Sequence, residues 1–401
     1  MTASEPQEIR NEINPSLQDE QDDRKRRLLL LLLLLLLLLL CCTGFLIVRY
    51  LLKPQPLPEL IPVVENIDYP PHYLYMITGV DQPVGVALSP DGERLYVSEM
   101  GGQRLVKMFD RQGKLIGEFA PPGTNPSNRE PKYLAVEKSG RVFLVDRTAN
   151  AIFIFDPNGQ PLDAIIAPDM TVSKLLKETL GEIPAGTTFR LDGLNHLLYY
   201  TLPGQAEQSV KLKAIAVPWA PLGIRFDAQG NLLYTDITAE SHTANIIPAE
   251  SLQGSLAEFA PTILTFGERG TEAGQFTFPQ TVITDSQGRY YISDGNNYRI
   301  SMWDANRQYL RFFGFGSTES GLNLPRGMWV DQKDRLFVSD AVGSMIRVYR
   351  ISGEEPQFLY TFGEFGVAEG QFNYPMDIVV DETGRLYIAD RENNRIQVWS
   401  Y

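Results

Sequence analysis

Residues 375–399 read Pro375-Met-Asp-Ile-Val-Val-Asp381-Glu-Thr-Gly384-Arg-Leu-Tyr-Ile-Ala-Asp390-Arg-Glu-Asn-Asn-Arg395-Ile-Gln-Val-Trp399. The stretch parses as strand, Asp-x-x-Gly turn, strand, polar loop, strand. Alternating β-branched and aromatic residues mark each strand, and Gly384 supplies the positive φ that a tight hairpin needs. The same frame recurs along the chain. A proline stands fifteen residues before an aspartate in Pro131/Asp146, Pro221/Asp236, Pro279/Asp294, Pro325/Asp340 and Pro375/Asp390. The first copy, Pro83/Glu99, has a spacing of sixteen, because Ser89-Pro90-Asp91-Gly92 adds a residue. A unit repeating every 46–58 residues, apart from one gap of 90 between Pro131 and Pro221, is the signature of a repeat architecture.

A fourth strand follows the complete copies, as in Ile263-Leu-Thr-Phe-Gly267 and Leu359-Tyr-Thr-Phe-Gly363, and two copies then run into Gly274-Gln-Phe276 and Gly370-Gln-Phe372. Together with Pro375, Asp381-Glu-Thr-Gly-Arg-Leu-Tyr-Ile-Ala-Asp390 and Asn393-Asn-Arg-Ile-Gln-Val-Trp399, these residues resemble the NHL repeat family. The fourth and sixth copies match closely. The fifth departs, with Met345 where Arg299 and Arg395 stand, and the first three are looser. The resemblance covers about 72–401. It implies an all-β fold: a six-bladed β-propeller of four-stranded blades around a central axis. The chain ends at Tyr401, just after a third strand, and Tyr73-Leu-Tyr-Met-Ile-Thr-Gly79 looks like the missing fourth. An N-terminal strand is therefore expected to complete the last blade and remove its open edge.

The 90-residue gap spans about two periods. Phe189–Thr201 even resembles Ile224–Thr235, so a degenerate seventh blade is one reading. Only one further strand, Val210–Val217, fits before Trp219-Ala-Pro221, where a blade needs two. Six blades with an insertion at 168–218 is the preferred reading, with Val172–Leu180 as a short helix. That insertion links an outer strand to the next inner strand, so it is expected to rise from the face carrying the loops between second and third strands. A lid, a docking element or a packing embellishment all fit it.

Before the repeats, Leu28–Leu40 is an unbroken run of thirteen leucines, continued without charge to Val48. Twenty-one such residues in a helix span about 32 Å, enough for a hydrocarbon core of about 30 Å. The leucines alone favour insertion by roughly 4–8 kcal/mol. Arg24-Lys25-Arg26-Arg27 precede the run, and Arg49 and Lys53 follow it. This asymmetry places the N-terminus in the cytoplasm and the propeller outside, in a single-pass cell-membrane protein. A cleaved signal peptide is the competing reading, but the apolar stretch is long and no small-x-small site precedes Arg49. Residues 1–27 are expected to form a disordered cytoplasmic tail, 28–48 the transmembrane helix and 49–71 a Pro-rich linker. Cys41 and Cys42, the only cysteines, lie inside the hydrophobic run. They fit as apolar filler or as palmitoylation sites. The propeller thus has no disulfide and no thiolate nucleophile.

Residues 1–53 carry seven basic and seven acidic side chains, so the whole net charge of −13 lies in the remainder. Such a domain repels phosphate backbones, and nucleic-acid binding is not expected. The acids that end the second strands recur in every copy. Recurrence points to capping of each blade's own loop rather than to one metal site. The two residues after each blade proline are expected near the channel mouth, and among them Lys132, Tyr133, Arg326 and Asp377 are candidates to line a ligand site. Arg147, Asn296 and Arg391, on loops of the same face, complete the candidate set. One carboxylate among those channel positions is no Ca²⁺ cage. His72, His196 and His242 match no common frame position, so the axial histidine–metal chemistry implied by lyases sharing this repeat has no counterpart here. No catalytic set, metal or cofactor is assigned. The first functional expectation is an extracytoplasmic module binding a protein, peptide or glycan, favoured by an exposed aromatic patch on the loop face. The alternative is a diverged propeller hydrolase or lyase, favoured by paired carboxylates in the axial channel. The identity of the ligand and the oligomeric state are not legible.

Overall fold

The computed structural model describes residues 15–52, 69–212 and 219–401. The chain divides into two compact units, Met1–Gln55 and Pro56–Tyr401.

The first unit is one helix, α1 (Pro15–Leu52). Its segment Arg26–Phe45 has a mean hydropathy of 3.1 and is long and apolar enough to cross a membrane. Every leucine from Leu28 to Leu40 is solvent-exposed within the unit, as expected of a rod apolar on all faces. The helix is longer than the leucine run. Residues 15–27, expected to be disordered, are helical; Gln, Glu, Arg and Lys are good helix formers, and helix propagates at low cost from a formed nucleus. The helix also takes 49–52 from the expected linker. The rest of that linker, apart from residues 69–71, lies outside the described residues, as do residues 1–14 of the tail.

The second unit is built from six principal sheets among the described residues. Sheet 1 runs Pro83–Leu88, Arg94–Glu99, Val106–Asp110 and Leu115–Phe119 from its inner to its outer edge. Sheet 2 spans Pro131–Ala167, with the short strand Met170–Thr171 added at its edge. Sheets 3, 4 and 5 span Pro221–Phe266, Pro279–Phe313 and Pro325–Phe362. Sheet 6 holds Pro375–Val380, Arg385–Asp390 and Arg395–Ser400, and its fourth strand is His72–Ile77. That strand pairs antiparallel with the C-terminal one, Tyr73 opposite Trp399 and Ile77 opposite Ile396, so the first strand does close the last sheet. The inner strands of sheets 1 to 6 each pack against the next, and that of sheet 6 packs against that of sheet 1. The result is a closed β-propeller.

The fifteen-residue spacing is a hairpin register. In each sheet the blade proline lies opposite the acid, as in Pro131↔Asp146 and Pro375↔Asp390. The ladder then shifts before the third residue after the proline in every sheet. Proline donates no ladder hydrogen bond, so a bulge at this point is the accommodation. The backbone N–H freed two residues on is taken by a second-strand hydroxyl: Gly85 by Ser98, Gly223 by Thr235 and Thr281 by Ser293, each at 2.9 Å. Gly223 is required by close approach, since a Cβ there would stand 1.7 Å from the Gln280 carbonyl of the next sheet. Adjacent sheets bury each other's faces: Phe337, Ile346 and Val348 of sheet 5 share a core with Ile378, Leu386 and Trp399 of sheet 6. Trp399 stacks on Phe372 and meets Phe362 and Tyr73.

Between sheets 2 and 3 lie helix α2 (Val172–Leu180), capped by Thr171, and a three-stranded sheet of Thr188–Asp192, Leu197–Thr201 and Gln208–Lys211. The third strand sits earlier than the expected Val210–Val217, whose residues 213–217 lie outside the described ones. Leu191, Leu198 and Tyr200 join the core of sheets 1 and 2. Gly193 lies so close to Thr148 and Ala149 that a Cβ would strike their backbone, which seats this small sheet on a loop of sheet 2.

Candidate functional site

The acids ending the second strands are structural. Each accepts from a backbone N–H of the link entering its own sheet: Glu99 from Asp81 at 2.8 Å, Asp146 from Glu130 at 2.9 Å, Asp236 from Ala220 at 2.9 Å, Asp294 from Thr277 at 2.7 Å, Asp340 from Leu324 at 2.9 Å and Asp390 from Asn373 at 2.7 Å. In sheets 4 and 6 an arginine completes the clamp. Arg299 Nε lies 3.0 Å from Asp294, and Arg395 Nε lies 2.7 Å from Asp390. Sheet 5, with Met345 at that place, uses Arg347 two residues later on the same strand face, 3.1 Å from Asp340.

At the axis the structure gathers residues from opposite sides of the ring. Asp377 of sheet 6 forms a buried ion pair with Arg225 of sheet 3, Nη2 to Oδ1 at 2.5 Å. The second carboxylate oxygen accepts from Val86 N of sheet 1 at 3.1 Å, and Arg225 Nη1 donates to Ile224 O at 3.1 Å and to Leu134 O of sheet 2 at 3.4 Å. Trp329 of sheet 5 lies under the guanidinium, 5.9 Å from carbon to ring centre. Burial pushes the Asp377 carboxyl up, against the opposing pull of Arg225 and the Val86 and Ile378 N–H groups. The pair forms a strut across the channel and ties four sheets together. Such a pair has modest net stability, but loss of one partner strands a buried charge.

The expected ligand residues therefore separate. Asp377 is fully buried and engaged in the strut. Tyr133 is also buried; burial, and then the neighbouring Asp377, push its hydroxyl pKa upward, and the hydroxyl has no hydrogen-bond partner among the described residues. Neither side chain is presented at an open mouth. The basic residues do converge. Lys132 Nζ lies 2.8 Å from Glu130 Oε1 and 2.9 Å from Met100 Sδ. Burial lowers its pKa, Glu130 opposes this, and the charges of Arg391 and Arg147 add to the lowering. Arg326 and Arg391 flank the Tyr374 ring at 6.0 and 5.6 Å, and Arg326 Nη2 donates to the Tyr374 hydroxyl at 3.1 Å. Arg147 Nη1 donates to Asn150 at 3.0 Å, and burial lowers its pKa. Asn296 is exposed, its backbone N–H held by Thr277 O at 2.9 Å.

Arg225 was missed in the sequence, although a signal existed. The residue four after each blade proline is Ala87, Ala135, Ile283, Trp329 or Val379 in the other copies. A lone arginine in that apolar frame marks a buried charge that needs a partner. Tyr374 had no such signal. Exposed apolar side chains occupy the links and loops of sheets 4 to 6 on the same face: Phe278, Tyr298, Phe315, Val342, Phe365 and Val367. His242 is buried, and burial lowers its pKa. Among the described residues no group of three or more His, Cys, Asp or Glu is arranged to hold a metal ion.

This ring of sheets defines a β-propeller, and comparison with known proteins agrees. The NHL repeat model matches residues 372–399, so the chain is a β-propeller that carries an NHL repeat. No curated protein sequence matches it. Among solved structures it is similar to virginiamycin B lyase of Staphylococcus aureus, at 12% identity and a TM-score of 0.51 over 83% of this chain and all of that one. A streptogramin B lyase is similar at 14% identity and a TM-score of 0.50, over 82% of this chain and 98% of that one. Hydrazine synthase of Kuenenia stuttgartiensis is similar at 13% identity and a TM-score of 0.51, again over 82% and 98%. At these identities the likeness is one of fold.

Proposed function

We propose that this chain is a membrane-tethered propeller whose loop face is an interaction module for an extended protein or peptide segment bearing acidic and apolar side chains. The observation that carries this reading is the pairing of two features on one face. Lys132, Arg147, Arg326 and Arg391 stand around the channel mouth of a domain that is otherwise strongly acidic, and six exposed apolar residues stand on the loops of sheets 4 to 6. Apolar anchors beside a charged pocket are the usual anatomy of a protein-binding surface. In the same reading the ring counts six blades, residues 168–218 are an insertion bordering the binding face, α1 spans the membrane with its N-terminus in the cytoplasm, and the propeller faces outward.

The test is a peptide array probed with the detergent-solubilised full-length chain. Peptides combining Asp or Glu with Phe, Leu or Trp are expected to bind, and more weakly as salt rises from 50 to 300 mM. Phe365→Ser with Val367→Ser, and separately Arg391→Glu, are expected to lower affinity at least tenfold with the melting temperature unchanged. Equal binding by these variants overturns the reading. Labelling of single cysteines placed at positions 5 and 104, in cells and in inverted vesicles, tests the orientation.

A further inference from the structure

The chain enters its sheets in two ways. In sheets 2, 3 and 5 the strand-ending acid holds the N–H of the residue just before the blade proline: Glu130, Ala220 and Leu324. In sheets 1, 4 and 6 it holds the N–H one residue earlier, of Asp81, Thr277 and Asn373. The residue before the proline is left-handed in those three, with φ of +47° at Gln82, +60° at Phe278 and +62° at Tyr374. Its N–H then needs another acceptor, and at two junctions the preceding sheet supplies one. Gln82 N donates to Asn394 Oδ1 of sheet 6 at 2.8 Å, and Phe278 N donates to His242 Nδ1 of sheet 3 at 3.3 Å. Asn394 and His242 hold the same place in the frame. Each directly precedes the residue opposite the acid, Arg395 opposite Asp390 and Thr243 opposite Asp236. One latch is thus an amide, and the other can titrate.

We propose that His242 is a positioning residue of the loop face, a latch that holds Phe278 while the imidazole is neutral and releases it on protonation, so that acid weakens the binding of an acidic, apolar peptide. The peptide half of this inference rests on the loop-face reading above. The geometry sets the sense. A backbone N–H donates to Nδ1 only when that nitrogen is unprotonated, so the neutral ring carries its proton on Nε2. A second proton lands on Nδ1, which then finds the Phe276 carbonyl at 3.3 Å and repels the Phe278 N–H. Phe278 needs holding: a bulky residue at positive φ is strained and persists only where its surroundings impose it. The imidazole also packs edge-on against the Phe278 ring, 5.6 Å between centres, and that ring is 40% exposed on the loop face. Burial keeps the imidazole neutral in the latched state by lowering its pKa; the Phe276 carbonyl and Asp236 oppose this, and Arg269 adds to it. Of the other charged groups nearby, Glu268 is bonded to Gln275, Asp294 is engaged by Thr277 N and Arg299, and Glu240 is exposed. A group whose pKa is depressed when latched, and ordinary when released, drives release as pH falls below about 6.5.

The test has two arms on the detergent-solubilised full-length chain, each run at about pH 7.5 and about pH 5.5. The first is amide exchange read by mass spectrometry and corrected for the intrinsic effect of pH. Protection of the Phe278 amide is expected to fall roughly tenfold at the lower pH, while that of Gln82, held by the Asn394 amide, stays constant. His242→Asn, which copies the sheet 6 latch, is expected to abolish the pH dependence at Phe278. If that variant does not fold, His242→Gln replaces it, and the comparison of Phe278 with Gln82 in the native chain stands by itself. The second arm is the affinity of the tightest acidic and aromatic peptide from the array, expected to fall about fivefold at the lower pH in the native chain and to hold steady in His242→Asn. Equal protection of Phe278 at both pH values overturns the proposal. So does a pH dependence that survives in the variant, or an affinity that ignores pH while exchange responds. If no array peptide binds, the loop-face reading fails, and the exchange arm still decides whether His242 is a latch.

Discussion

At the scale of single residues, the Arg225–Asp377 strut and the surface ion pairs respond differently to mutation. Asp377→Leu leaves the Arg225 guanidinium unpaired in a site with almost no solvent access, and is expected to cost about 3–5 kcal/mol of stability in urea unfolding followed by circular dichroism. The double variant Arg225→Met with Asp377→Leu is expected to recover most of that loss, because a neutral apolar pair replaces a stranded charge. Glu137 offers a test by pH. Burial raises its pKa, but Arg141 at 2.7 Å, Ser139 and Gln253 outweigh burial, so its carboxyl is held below the ordinary range. A depressed carboxylate stabilises the fold above the unfolded-chain value, near 4.3, and that contribution fades as pH falls through the folded value. The stability gap between the native chain and Glu137→Gln is therefore expected to be full at pH 6 and to close towards pH 3. A gap independent of pH would contradict this.

At the scale of elements, the arginine clamp decides how firmly each link is held. Arg395 binds Asp390 through Nε and donates to the carbonyls of Val367, Ala368 and Gln371. Arg395→Met is expected to cost about 2–3 kcal/mol, since a buried carboxylate and three carbonyls lose a charged donor. Amide exchange should quicken over residues 364–373 ahead of the rest of sheet 6, and uniform quickening would contradict a local clamp. Much of this was legible in the chain. The Pro-to-acid spacing is the hairpin register itself, and the recurrence of the acids separated capping from catalysis. The replacement of Met345 by Arg347 was not legible, because alignment by position cannot see that residues two apart share a strand face. Nor was the burial of Tyr133 and Asp377, which depends on where sheets 1, 2 and 3 project across the axis. The basic mouth was half legible: its members were named, but the meeting of Arg326 and Arg391 at Tyr374 rests on a link residue with no repeat signature.

At the scale of the whole molecule, the ring is a set of sheets that each need a neighbour. Clusters of buried side chains run from one sheet into the next, as in the core joining Val84 and Val97 of sheet 1 to Ile77, Val379, Tyr387 and Val398 of sheet 6. Deleting residues 72–77 would expose the backbone of Arg395–Ser400 as a free edge and uncover Trp399. Such a variant is expected to self-associate, seen as a higher mass by light scattering, while a monomer of native melting temperature would contradict the role given to that strand. The closing strand also lies immediately after the segment leading from α1. A protease acting before His72 would therefore leave the ring intact. One acting a few residues later, between Ile77 and Pro83, would leave the last sheet's outer strand held by hydrogen bonds and side-chain packing alone, so whether the cut ring stays closed or opens turns on a dozen residues.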